Sequence, residues 1–289
     1  MAHHFRIATR VPPGAALKRV ALSELAAAIA DLGSSVHGAR KHCKKLRALL
    51  RLLRQPLGDV YAPLSMAIRD AARAIAGRRR LEALTRLCAD LEVGLRGYSP
   101  AQRSLLLRIQ RDLRGHRQQH VGSGARARKL LRAAAQQLRQ WQSPVLAPAT
   151  LEEALTRSYR AARQQRARIG DKRRPEHLHE WRKRTKIHHD QCVLLSPLWP
   201  QLGGERARQL DRLAKALGDH QDLHELELLL NDPDNGYADA PARVTLQAWI
   251  LRRQKALTAD ALAIGDALFD ARPREWKALL APRAAAALA

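Results

Sequence analysis

The chain has 289 residues, a formal net charge of +25 and an aromatic fraction of only 4%. Charge so far from neutral calls for a polyanionic partner. Ala, Leu, Arg and Gln dominate and alternating β-branched runs are nearly absent, which specifies an all-α fold packed by Leu and Ala rather than by aromatic rings. Cys43, Cys88 and Cys192 are too far apart for a C-x-x-C motif, which argues against a disulfide framework or zinc ribbon and fits a reducing compartment. No apolar run is long enough to span a bilayer, and the "MAHHFRIATRVPPG" start lacks a signal-peptide core. The expectation is a soluble, cytoplasmic protein.

In chain order, an amphipathic helix is predicted over 15–32, closed by Gly33. Ser34 or Ser35 caps the next, about 35–54, and Gln55-Pro56-Leu57-Gly58 breaks it. Helices follow near 59–77, 80–96, 100–120 and 125–142, with "VGSG" at 121–124 as a turn. "SPVLAPAT" contains two prolines and reads as a linker. Beyond it lie helices at 149–169 and 175–195, then 204–217 and 220–230. "NDPDNGYADAP", 231–241, is a loop. A long helix at about 242–269 and a short one at about 274–281 complete the chain. Short connections between many helices predict antiparallel bundles. The expected organisation is one domain over 15–283, built from halves at about 15–142 and 149–283 and joined by residues 143–148.

The charge is unevenly placed. Residues 1–150 hold 28 Lys+Arg against 8 Asp+Glu, a balance of +20, and the remainder holds 24 against 19, a balance of +5. A repeat accompanies this asymmetry. "VHGARKHCKKLR" begins at Val36 and "LHEWRKRTKIHH" at Leu178, and they match at His37/His179, Arg40/Arg182, Lys41/Lys183 and Lys44/Lys186. The spacing i, i+3, i+4, i+7 is one face of a helix. At about 100° per residue, Arg51 joins that face in the first copy, Lys45 and Arg47 lie at its edge, and His189 takes the place of Arg47 in the second. Ala39, Cys43, Leu46, Leu50 and Leu53 fall on the opposite, apolar side. In the second copy Trp181, Thr185, His188, Cys192 and Leu195 do the same, so His188 is read as a core residue. Ordinary exposed helices mix signs, because like charges one turn apart repel. Residues 33–58 contain no acid at all, which marks an anion-binding face.

These segments resemble the CHAD family, the histidine α-helical domain proteins. The resemblance rests on "VHGARKHCKKLRALL", "LHEWRKRTK" and "LGDHQDLHELELLL" at 217–230, with "IRDAARAI" at 68–75 as a fainter counterpart of the third. It implies two pseudo-symmetric antiparallel helical bundles facing each other around a basic central cavity that binds inorganic polyphosphate, and it implies an association with polyphosphate granules. The second copy departs from the family pattern at His188-His189-Asp190, and Asp190 subtracts from its positive face.

The chemistry fits that ligand. Arg presents a fork to phosphate oxygens and Lys a mobile point charge. Polyphosphate needs a track of cations and no stacking platform, and two helices of about 20 residues offer about 30 Å each. The expected binding set is His37, Arg40, Lys41, Lys44, Lys45, Arg47 and Arg51, with His179, Arg182, Lys183, Lys186 and His189. Two other classes compete. His220/His224 and His116/His120 have i,i+4 spacing that suits zinc, but each pair needs further ligands from elsewhere. Non-specific nucleic-acid binding is compatible with the charge, though no finger, RRM or helix-turn-helix is present. No phosphate-cradling glycine loop and no carboxylate pair for Mg²⁺ is readable. The expected function is therefore non-catalytic, with no metal, no cofactor and no membrane role.

Overall fold

The computed structural model describes residues 5–94, 99–117, 123–170, 173–237, 240 and 242–284. Among them there is no strand. The helices are α1 (Pro13–Ser34), α2 (Val36–Leu52), the single turn α3 (Arg54–Leu57), α4 (Tyr61–Ala74), α5 (Ala76–Gly94), α6 (Pro100–Arg117), α7 (Ser123–Gln140), α8 (Pro148–Ala167), α9 (Pro175–Leu195), α10 (Gly204–Asn231), α11 (Arg243–Phe269) and α12 (Pro273–Ala284). α1, α6, α8, α9 and α12 begin on a proline, whose missing N–H is no loss in a first turn. α2 starts as predicted: the Ser35 hydroxyl accepts from the Gly38 N–H at 3.0 Å.

Two differences from the sequence reading have clear causes. The break at residues 55–58 is partly helical, as α3 and a 3₁₀ turn at Gly58–Val60. The expected pair of helices at 204–217 and 220–230 is the unbroken α10. Gly218 lies inside α10 because the Arg182 guanidinium is packed against it; a Cβ there would sit about 3.2 Å from Nη2. This glycine permits a close approach and does not end a helix. Of the predicted turn at 121–124, residues 121 and 122 lie outside the described residues, and Ser123 and Gly124 are already the first residues of α7.

Each half uses the same plan. α1 packs on α2, and the α4–α5 arm runs against the α6–α7 arm; α8 packs on α9, and α10 runs against α11, with α12 added on α8. The segment between the halves is held by α1, where Lys18 Nζ donates to the carbonyls of Arg139 and Trp141 at 2.8 and 2.5 Å. Leu17, Leu25, Leu46, Leu49 and Leu50 fill the first core. The scarce aromatics concentrate in the second: Tyr159 stacks on Trp276 at 4.6 Å, and Trp181 and Trp199 are fully buried. His188 is core, as expected: it is fully buried among Tyr159, Phe269 and Trp276, and burial holds it well towards the neutral form.

Gly265 on α11 lets the Trp181 ring lie directly against the helix backbone, in space that a Cβ would need. Gly265→Ala is expected to cost about 1–3 kcal/mol through overpacking, measured by urea unfolding. Gly115→Ala, with nothing near the added methyl, should be neutral to stabilising by up to about 1 kcal/mol.

Candidate anion-binding site

The two helices that carry the repeated motif cross in direct contact. Gln191 of α9 donates from Nε2 to the Ala48 carbonyl of α2 at 2.9 Å, in a buried position. Ala48 lies eleven residues after His37, which is about 20° from the centre of the basic face, and it is fully buried. The crossing therefore divides the α2 face. On the N-terminal side His37, Lys41 and Lys44 are exposed, with Arg40 and Arg47 half-buried beside them. That stretch is about 15 Å long, half the track expected from sequence. On the other side Arg51 is half-buried. Burial holds its pKa down, and Arg47 of α2 and Arg184 of α9 act in the same direction against Tyr61 and Glu180. Arg184 is a cation that the motif face did not select.

Other members of the predicted set are committed to protein partners. Arg40 donates from Nη1 to the Ala72 carbonyl of α4, and Arg182 packs on Gly218 of α10, so the motif arginines of both copies grip the helix beside their own. Lys45 pairs with buried Glu24 at 3.3 Å and lies over the Phe5 ring at 4.8 Å. The same glutamate pairs with His42. In the second copy Lys183 pairs with Glu180 at 3.3 Å, Lys186 with Asp190 at 3.3 Å, and His189 with Asp190 at 3.0 Å. The acids that α2 lacks come from α1, and those near α9 come from α9 itself and, with Asp211, from α10.

A cleft of about 570 Å³ opens between α5, α9 and α10, lined by His179, Lys183, His224 and Arg80 together with Glu176, Glu180 and Glu225. Arg80 bridges the halves to Glu225 at 2.9 Å. Two Lys/Arg against three Glu leave this cleft with one excess carboxylate when its histidines are neutral, unlike the exposed α2 face. His179 Nδ1 is buried without a hydrogen-bond partner. Burial, then Lys183 and Arg182, lower its pKa, and Glu180 and Glu225 oppose them.

Among the described residues no group of three or more His, Cys, Asp or Glu is placed to hold a metal ion. His220 is buried, and His224 pairs with Glu227 at 3.4 Å. The His116/His120 pair lies outside the described side chains. Cys43 is buried on the apolar side of α2 and its thiol is pushed up to about 11; Cys88 and Cys192 are pushed up to about 12. Protonated, buried thiols are poor nucleophiles.

The CHAD domain model matches residues 15–231. The chain belongs to the CHAD domain family. The crystal structure of the CHAD domain from the plant Ricinus communis superposes with a TM-score of 0.58 at 16% identity, covering 96% of this chain and 93% of that one. At that identity the likeness establishes the all-α CHAD fold, and it extends beyond the matched 15–231. No curated protein sequence matches this chain. No helix among the described residues is long and apolar enough to cross a membrane.

An NMR titration of His179 should show a midpoint below the ordinary value of about 6.5. Lys183→Gln should move it up by removing a repelling charge, and Glu180→Gln should move it down. A midpoint at or above 6.5 in wild type would contradict the burial and charge arrangement described.

Proposed function

We propose that this CHAD protein is a non-catalytic binder of inorganic polyphosphate, with the N-terminal part of α2 as the primary contact. The observation that carries this reading is the exposed trio His37, Lys41 and Lys44 on a helix with no acid of its own, in the half that holds the +20 balance. CHAD domains are associated with polyphosphate binding, which favours this polyanion among those the charge admits. A second observation bears on nucleic acid. Among the described residues every Phe, Tyr and Trp is buried or half-buried and none is exposed. A single-stranded nucleic acid would find cations here but no stacking surface, so its binding would be weak and non-specific. Residence in the cytoplasm, at polyphosphate granules, belongs to the same proposal.

Binding of this kind is electrostatic, needs no metal, and strengthens with the number of phosphates engaged. Affinity should rise from tripolyphosphate to long chains and fall with added salt, and EDTA should leave it unchanged. Lys41→Glu/Lys44→Glu should weaken binding by about tenfold or more at low salt, and more than Lys183→Glu/Lys186→Glu, which lie in the half with the smaller +5 balance. Equal losses from the two pairs, or loss of binding on chelation, would contradict the proposal.

The pH dependence follows from linkage. His179 is held towards the neutral form in the free protein, and a bound anion favours the charged form, so binding takes up a proton. Affinity should increase as pH falls from about 8, through the bound-state pKa, and level off below the lowered free-state pKa. His179→Ala should flatten that profile in calorimetric titrations at several pH values. Affinity that drops on acidification would overturn this assignment.

A further inference from the structure

The two copies of the motif differ in how their cations are held, and the difference has a structural pattern. Position 180 carries a glutamate; its counterpart in the first copy is Gly38. A side chain at Gly38 would collide with the Asp31 carboxylate, which reaches over from α1 into that space. Asp31 pairs there with His42 at 3.5 Å. His42 is the counterpart of Arg184, which pairs with Glu180 at 2.8 Å. Both copies therefore place a carboxylate at the same point of the helix, against the basic side chain four residues on.

The consequence for the next cation is different. Glu180 extends from α9 itself, so one of its oxygens holds Arg184 and the other holds Lys183 at 3.3 Å. Asp31 arrives from outside α2 and meets His42. Lys41, the counterpart of Lys183, stays exposed, and no ion pair to it occurs among the described residues. Further along α9, Lys186 is held between Asp190 at 3.3 Å and Asp211 of α10 at 3.7 Å.

We infer that the second motif is a masked phosphate-binding site, in which Glu180 and Asp211 act as internal competitors that a phosphate chain must displace from Lys183, Arg184 and Lys186. This inference rests on the polyphosphate-binding reading above and deepens it: the open first motif captures the chain, and the second joins only where enough phosphates are present to outcompete the carboxylates. The competition is chemically reasonable because both groups offer oxygen acceptors to the same donors, and an exposed Lys or Arg pair with a carboxylate is weak enough to exchange.

The test is calorimetric titration of the full chain with long-chain polyphosphate at fixed pH and ionic strength. Glu180→Gln keeps the size of the side chain and releases two cations, so affinity should increase about threefold. Asp211→Asn should act in the same direction. Glu176→Gln is the control, since Glu176 lines the same cleft and its removal changes the charge equally without releasing Lys183 or Arg184; its gain should stay below about twofold. In the Glu180→Gln background, Lys183→Gln should abolish the gain, whereas the same change in wild type should matter little. Circular dichroism checks that each variant is folded. A Glu180→Gln gain no larger than that of Glu176→Gln, or a loss, would overturn masking while leaving polyphosphate binding intact. Failure of the wild type to bind would instead remove the functional proposal. In that case a Glu180→Gln variant that gains binding would still support masking, and one that stays silent would end it too.

Discussion

The crossing of α2 over α9 is the contact on which the rest of this structure depends. A helix that carries seven Lys or Arg residues with its flanks can fold into a core only if its opposite side is apolar and its charge is directed outward. α2 meets the first condition with Val36, Ala39, Cys43, Leu46 and Leu50, all buried. The crossing sets the second. Ala48 interrupts the basic stripe with a methyl small enough for α9 to approach, and Gln191 satisfies its carbonyl. Lys41 and Lys44, before Ala48, are left facing solvent. Arg47 and Arg51, which flank Ala48, are drawn with Arg184 into a half-buried cluster at the junction of the two halves.

Charge neutralisation then separates the halves. The first copy borrows acids from α1: Glu24 is fully buried yet satisfied by His42 and Lys45, which is what allows a carboxylate to sit inside a Leu-rich core. This removes Lys45 from the outward face without reducing the exposure of Lys41 and Lys44. The second copy neutralises itself from Glu180, Asp190 and Asp211. The result is one exposed cationic face and one cleft in which carboxylates outnumber Lys and Arg, from sequences that match at four motif positions.

Much of this was legible in the sequence, for identifiable reasons. α9 runs over 175–195 as predicted because Pro175 can only start it and the "SPLWP" segment can only end it. His188 was assigned to the core because its position on the helix is opposite the motif face. What could not be read was set by other helices. Gly218 looks like a helix end until Arg182 is seen packed on it. Arg184 lies about 140° from His179 on the helix, outside the motif face, and gains its place near Arg51 only through the crossing. Glu24, Asp31 and Asp211 are distant in sequence from the lysines and histidines they hold, so a count of acids within 33–58 finds none although Glu24 and Asp31 reach α2 in space.

The central claim is that the exposed N-terminal part of α2 is where a phosphate chain is bound. A crystal structure of the protein with long-chain polyphosphate addresses it most directly. The account predicts consecutive phosphates along α2, with oxygens within charge-assisted hydrogen-bonding distance of Lys41 and Lys44 and the chain running towards the α2–α9 crossing. A chain that lies elsewhere and leaves Lys41 and Lys44 in solvent would contradict it.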